Sequence, residues 1–289
     1  MSLHAERIAA AFKWACLAEL EAPKPGNVHA FATGHRMTVD EFVRSADAAA
    51  GPLAEERARV GVRIDRAVAA TFSAVGTNTN LGIILLCAPL AAAAERDAGG
   101  ADLRAALGDV LRDLDVDDAN LAFRAIVRAA PAGLGRSVRH DVCEPARATL
   151  LQAMSEAAGR DLVARQYATD FTDIFDFGLA LLETAGESRT DPKWATLATF
   201  LGFLSAFPDS HIVRKHGTET ADAVQREAAR YRRMLQEAKE PSQLLSALLA
   251  WDNALKRQGI NPGTSADLTV ATLFAHRLQS ILPSVRNSG

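Results

Sequence analysis

Almost every long segment of this chain carries a helical repeat, and that repeat most constrains how it can fold. Apolar residues recur at three- and four-residue spacing in IAAAFKWACLAEL, LRAALGDVLRDL and PSQLLSALLAWDNAL, which indicates amphipathic helices. Alanine and leucine dominate these segments, and neither Asn-Gly nor Asp-Gly occurs to close a β-hairpin. The sequence therefore predicts an all-α fold of about ten to twelve helices, forming a single domain over residues 1–289.

Composition and charge fit a globular protein and argue against a nucleic-acid-binding protein and a membrane protein. The chain has 289 residues, of which 48% are hydrophobic, and its net charge is -3. Because a nucleic-acid-binding protein needs a basic face to neutralise phosphates, we expect no nucleic-acid partner. The longest apolar run, residues 81–94, contains Gly82 and Pro89 and is shorter than the roughly 18 residues of a membrane span. We therefore expect a buried core helix there and no contact with a membrane.

The chain has three scattered cysteines, Cys16, Cys87 and Cys143. Their pattern indicates the cellular compartment of the protein. Their odd number and the lack of a CxxC pair indicate reduced thiols, neither a disulfide framework nor a zinc site. Charged residues interrupt the first apolar stretch, which argues against a signal peptide. We therefore expect a cytoplasmic protein.

Four short polar segments break the amphipathic pattern, each at the start or end of a predicted helix. They are PKPGNVH (residues 23–29), GTNTNLG (76–82), PDSHIVRKHG (208–217) and NPGTSAD (261–267). A helix N-terminus with unpaired amide groups is a ready site for an anion. We expect the four segments to meet at one end of a helical bundle and to bind a polyphosphate there.

Two of these segments also have a structural explanation as helix starts. In GTNTNLG, Thr79 or Asn80 could cap the apolar helix that follows, although one capping residue would suffice where four polar residues stand. In NPGTSAD, Thr264 and Asp267 have the spacing of a capping box.

Two charged stretches fit ordinary helix surfaces when each is considered alone. Arg214, Lys215 and His216 would occupy the last turn of a helix that ends at a glycine. Arg160 and Asp161, in GRDLVARQY, fit a pattern of charges on a solvated helix face.

Taken together and in this order, PKPG, NTNLG, RKHG and NPGTSADL resemble the signature of the triphosphoribosyl-dephospho-CoA synthase family. Enzymes of that family make the prosthetic-group precursor of citrate lyase and malonate decarboxylase. The likeness runs from about Glu19 to Phe274, and GRDLVARQYA also fits it. PKPGNVH and NTNLG differ from the lyase-associated enzymes, which typically read PKPG-Leu-Val-Asp and Asn-Thr-His-Lys-Gly. They are closer to the branch found in methanogens and methylotrophs.

The resemblance implies a transferase that moves the triphosphoribosyl group of ATP to the 2′-hydroxyl of 3′-dephospho-CoA and releases adenine. The triphosphate carries about four negative charges, so it needs Mg²⁺ together with basic and amide donors. The anomeric carbon becomes oxocarbenium-like, and a nearby carboxylate stabilises such a centre. The attacking hydroxyl needs a base, and the departing adenine benefits from an acid.

This reaction suggests which residues bind the nucleotide. Lys24, on its Pro-bounded turn, is expected to present its charge to phosphate, while Gly26 lets the backbone approach. Asn27 and His29 would supply directional contacts, and His29 or His216 would contact phosphate or protonate adenine. The further expected nucleotide-binding residues are Asn78, Thr79, Asn80, Arg214, Lys215, Asn261 and Thr264.

Three acidic residues are the expected catalytic groups. Asp209 and Asp267, at helix ends, are predicted to bind Mg²⁺, or one of them to act as the base. Glu19, which precedes PKPG, is a second candidate for acid–base chemistry.

Two other functions remain open from the sequence. One is a related ATP-dependent enzyme of one-carbon cofactor biosynthesis, of the tetrahydromethanopterin or methanofuran type, acting on another acceptor. The other is a non-catalytic helical module that binds a nucleotide or a partner protein. The expected partners of the enzyme are ATP and a dephospho-CoA-like acceptor, and a homodimer is compatible with the sequence.

Overall fold

The computed structural model describes residues 2–32, 38–97, 102–130, 141–187 and 191–281. Within these ranges the chain forms fourteen α-helices, a π-helical segment and a 3-10 turn, with no β-strand. The prediction of an all-α fold is confirmed, and the helix count exceeds the expected ten to twelve. The additional helices include α8 and α11, which are seven residues long and too short to show a clear periodic pattern.

The helices follow one another along the chain. Their bounds are α1 (Leu3–Glu21), α2 (Val39–Leu53), α3 (Val60–Val75), α4 (Leu81–Arg96), α5 (Leu103–Arg112), α6 (Val116–Ala129), α7 (Leu150–Ala157), α8 (Leu162–Ala168), α9 (Leu179–Glu187), α10 (Pro192–Ala206), α11 (Ser210–His216), α12 (Thr218–Glu237), α13 (Leu245–Arg257) and α14 (Gly263–Ile281). The π-helical segment is Asp173–Gly178, and the 3-10 turn is Pro241–Leu244.

Helix α4 is the centre of the larger apolar core. Its buried residues are Leu81 and every residue from Ile83 to Ala94, as expected for a helix that is apolar on all sides. The prediction of a buried core helix in this segment is therefore confirmed. Helices α1 and α14 pack on α4 and on each other. Phe12 of α1 meets Phe274 of α14 edge to face, with ring centroids 5.9 Å apart.

A second apolar cluster surrounds α10, α12 and α13. Leu197 and Phe200 of α10 are fully buried there beside Ala228 of α12 and Leu255 of α13. The prediction of a single domain over residues 1–289 stays a prediction. Among the described residues, no helix is both long enough and apolar enough to cross a bilayer.

Two helix starts have the side-chain caps that their residue types favour. Thr38 and Glu41 form a reciprocal capping box at α2, and Asp191 caps α10 with Pro192 at its first position. Both satisfy amide groups that the first turn of a helix leaves unpaired.

Candidate active site

A cavity of about 930 Å³ brings the four polar segments together. Its lining combines the C-terminal end of α1, the N-terminal ends of α4 and α14, and the helix α11. The predicted site residues that line it are Glu19, Asn27, Asn78, Thr79, Asn80, Arg214, Lys215, Asn261, Thr264 and Asp267. Five others lie outside the lining: Lys24, Gly26, His29, Asp209 and His216.

Asp267 is an acidic side chain of the cavity lining, in the first turns of α14. It makes no hydrogen bond or ion pair to the described residues, and it lies against the first turn of α4, where a Cβ added to Gly82 would overlap its Oδ2. Burial raises the pKa of Asp267 well above its ordinary value, and Asp209 and Glu19 raise it further. A carboxylate in such surroundings gains from a cation or a proton.

Gly82 lies against Asp267 and lines the cavity, and the sequence analysis assigned it no role. We expect Gly82→Ala to lower kcat about a hundredfold, because a methyl group would displace the Asp267 carboxylate and a shift of about 1 Å can cost that much. Steady-state kinetics and thermal unfolding would measure this. Gly186→Ala is the matched control, since a Cβ there meets nothing within 4 Å. A wild-type kcat in Gly82→Ala would contradict the expectation that activity depends on the position of the Asp267 carboxylate.

Lys24 lies behind the cavity wall. Its side chain is fully buried, with Nζ 2.7 Å from Oε1 of Glu19 and donating to the carbonyl oxygen of Val28 at 2.7 Å. Burial raises the pKa of Glu19 and lowers the pKa of Lys24, and the ion pair opposes both shifts. The expected contact between Lys24 and the triphosphate is therefore corrected: Lys24 orients and neutralises Glu19, which faces the cavity.

Asp209 joins two helices. Its Oδ1 accepts the amides of His211 (2.9 Å) and Ile212 (3.1 Å) at the start of α11. Its Oδ2 accepts both the amide and the hydroxyl of Ser265, each at 2.8 Å, in the first turn of α14. Because these four donors occupy the carboxylate and it is outside the cavity lining, the expected role as magnesium ligand or base is corrected to a structural one.

Removing the Asp209 carboxylate should cost stability. We expect Asp209→Ala to lower the free energy of unfolding by about 3 kcal/mol, because buried donors lose their acceptor at two helix starts. Urea unfolding would measure the change. Asp109→Ala breaks an exposed ion pair with Arg112 and should change stability by less than about 1 kcal/mol; an equal effect of the two substitutions would contradict the assignment.

Asp252 of α13, which the sequence analysis did not single out, anchors the PKPGNVH loop. Its Oδ1 accepts the Gly26 amide at 2.8 Å, and its Oδ2 lies 2.9 Å from Nζ of Lys256 and 3.4 Å from Nε2 of His29. Gly26 has φ +81°, and a Cβ there would lie 2.8 Å from Cδ of Pro262. The expected ligand contacts of Gly26 and His29 are corrected, because both pack inside the protein and hold the loop in place.

The basic residues in the last turn of α11 lie in two different environments. Arg214 and Lys215 line the cavity, and Arg214 lies 3.6 Å from Oδ2 of Asp161. His216 instead lies with Nε2 3.1 Å from the carbonyl oxygen of Gly259. The expected contact of His216 with phosphate or adenine is therefore corrected to an anchor for the end of α11.

The start of α4 forms another part of the wall. Asn78, not Thr79 or Asn80, provides the side-chain cap, since its Oδ1 accepts the Leu81 amide at 3.1 Å. Thr79 donates to Oγ of Ser45 at 2.7 Å. Asn80 is 5% exposed, and its Nδ2 has no hydrogen-bond partner among the described residues. A buried donor of this kind is rare in proteins and is available to a ligand.

Residues of the first and last segments meet directly. Nδ2 of Asn27 donates to Oδ1 of Asn261 at 2.9 Å, and the hydroxyl of Thr264 accepts the amide of His211 at 3.2 Å. His211, which had no assigned role, also lines the cavity. Gly263 provides the space for it, because a Cβ there would lie 2.5 Å from Nδ1 of His211.

Arg160 and Asp161 also line the cavity, whereas the sequence favoured a solvated helix face. Oδ1 of Asp161 caps α8 by accepting the amide of Val163 at 2.8 Å. A short charged stretch has the same pattern on a solvated face and on a cavity wall, so its periodicity could not distinguish them.

Comparison with known proteins finds a matching family model and similar solved structures. A family model described as ATP:dephospho-CoA triphosphoribosyl transferase matches residues 5–285. The crystal structure of a proposed triphosphoribosyl-dephospho-CoA synthase from Archaeoglobus fulgidus is similar, with a TM-score of 0.62 and 24% sequence identity, over 83% of this chain and 99% of that chain. This likeness shows a shared fold. A search of curated proteins finds no match.

Proposed function

Because the chain belongs to the ATP:dephospho-CoA triphosphoribosyl transferase family, we propose that its cavity is where the triphosphoribosyl group of ATP passes to dephospho-CoA. The protein is an enzyme of this transferase type, which sets aside the non-catalytic module. One observation supports placing the reaction in this cavity. Its lining includes Glu19, Asp267, Arg214 and Lys215, which come from three separate segments of the chain.

Arg214 and Lys215 are the proposed ligands of the triphosphate. They bring two positive charges to the cavity from α11, and a polyphosphate is bound by such cations together with amide donors. Asn78, at the start of α4, provides an amide side chain on the same cavity.

Magnesium is the expected companion of ATP, and the cavity fits an ion that the substrate helps to bind. Among the described residues, no group of three His, Cys, Asp or Glu side chains could hold a metal. Mg²⁺ often binds through one or two carboxylates together with substrate phosphates, and the Asp267 carboxylate, which pairs with none of the described side chains, could serve in this way. Mg²⁺ at Asp267 would neutralise phosphate charge.

Glu19 is the proposed base. Lys24 holds its carboxylate at the cavity wall, where it can take the proton of the acceptor hydroxyl. The hydroxyl oxygen forms a bond to C1′ of the ribose while the C1′–N9 bond breaks, and the electron pair of that bond leaves with adenine. Adenine then takes up a proton at a ring nitrogen, which balances the charge.

A related acceptor from one-carbon cofactor biosynthesis is the second candidate. The lyase-associated enzymes typically have His-Lys where this chain has Asn80 and Leu81, and both residues line the cavity. Leu81 leaves this part of the cavity wall without the cation of those enzymes, which favours a less anionic acceptor. A homodimer and a cytoplasmic location remain predictions.

Mass spectrometry of the products tests this proposal. Purified protein would be incubated with Mg-ATP and dephospho-CoA, and separately with pterin-type and furan-type acceptors. We expect free adenine and an acceptor heavier by one triphosphoribosyl group. Release of AMP or phosphate without adenine would contradict the proposal, and adenine release with only a one-carbon acceptor would support the second candidate.

A further inference from the structure

Part of the cavity lining is apolar and has no role in the binding of phosphate. It comes from helices α2, α3, α6 and α7. Its larger side chains are Phe42, Phe72, Val75, Phe123, Ile126 and Met154; we call the three phenylalanines the aromatic wall. Phe72 is 42% exposed although it is a large apolar residue. Aromatic surfaces of this kind bind flat, uncharged rings by stacking.

Asn80 adds a polar side chain to the lining of the same cavity. Phe72 lies in the last turn of α3, and the chain reaches Asn80 through a turn at Gly76, which has φ +73°. The buried Nδ2 of Asn80, which has no partner in the described part of the chain, can donate to a ring nitrogen. An asparagine side chain is well suited to the edge of adenine, which offers an acceptor beside a donor.

The position of Asn80 relative to the carboxylates fits a base that is about to leave. Two residues after Asn80, Gly82 lies against Oδ2 of Asp267. The base is attached to C1′, the atom at which the bond breaks, so its subsite must adjoin the acidic groups.

We propose that Asn80 and the aromatic wall form the subsite for the adenine base of ATP, and that Asn80 stabilises adenine as it leaves. This assignment rests on the proposed function, and it moves Asn80 from the triphosphate to the base.

Direct binding of two fragments of ATP tests the subsite without any turnover. Isothermal titration calorimetry would measure the Kd of free adenine and of tripolyphosphate with the full-length protein. We expect Phe72→Ala and Asn80→Ala each to raise the Kd of adenine about tenfold, with the Kd of tripolyphosphate nearly unchanged. Lys215→Ala should have the opposite pattern.

A matched control tests whether the loss of any exposed phenylalanine weakens adenine binding. Phe31 is also 42% exposed and lies outside the cavity lining, so Phe31→Ala should leave the Kd of adenine unchanged. In inhibition kinetics, adenine should compete with ATP.

Three results would overturn the subsite. They are no binding of adenine to the wild-type protein at millimolar concentration, loss of tripolyphosphate binding in Asn80→Ala, and competition of adenine with dephospho-CoA alone. If adenine binds as expected but ATP yields no adenine, the proposed function fails and the base subsite stands.

Discussion

Asp267→Asn will remove most of the transfer activity and leave the fold intact. The substitution keeps the size of the side chain but removes its charge, and a positioned acid–base or cation-binding group contributes about 10²- to 10⁴-fold to a rate. Adenine release measured under saturating Mg-ATP tests this. Asp222→Asn on α12, outside the cavity lining, is the control, and turnover near the wild-type rate in Asp267→Asn would contradict our proposal.

The same substitution should make the protein more stable at neutral pH. The raised pKa of Asp267 means that the unfolded chain loses this proton at lower pH than the folded protein does. Stability therefore falls as pH rises from the unfolded pKa, about 3.9, towards the folded value. We expect Asp267→Asn to raise the free energy of unfolding at pH 7 and to leave it unchanged near pH 3, as measured by urea unfolding. A loss of stability at pH 7 would contradict this.

Lys24→Met should be the most destabilising substitution at the site. Removal of Lys24 leaves Glu19, which is 3% exposed, as a buried charge without its partner, and this typically costs about 3–5 kcal/mol. Urea unfolding at pH 7 measures it. If the pair is the cause, the double variant Glu19→Gln, Lys24→Met should recover much of the loss.

Lys13 provides the matched control for Lys24. It also forms an ion pair, with Asp47 at 2.6 Å, but both side chains are about half exposed. Because solvent screens exposed pairs, Lys13→Met should cost less than about 1 kcal/mol. Equal costs for the two lysines would mean that burial of the Glu19–Lys24 pair has no energetic role.

The sequence by itself determined the helical fold and the four polar segments that supply part of the cavity lining. Helical periodicity is local, because residues three and four apart share one face, so α1 and the buried α4 were predictable. Polar residues at helix ends are also a local feature, and the sequence therefore placed Asn78, Lys215 and Asp267, which line the cavity, among the candidate site residues.

Only the tertiary structure decided which polar residues line the cavity. Lys24 and Asp209 have the residue types of a binding site, yet their partners Glu19 and Ser265 bury them. Asp252 has the spacing of an i,i+4 pair with Lys256, although it anchors a loop more than two hundred residues away. The physical reason is that burial and pairing depend on packing between distant segments, which no local pattern of residues contains.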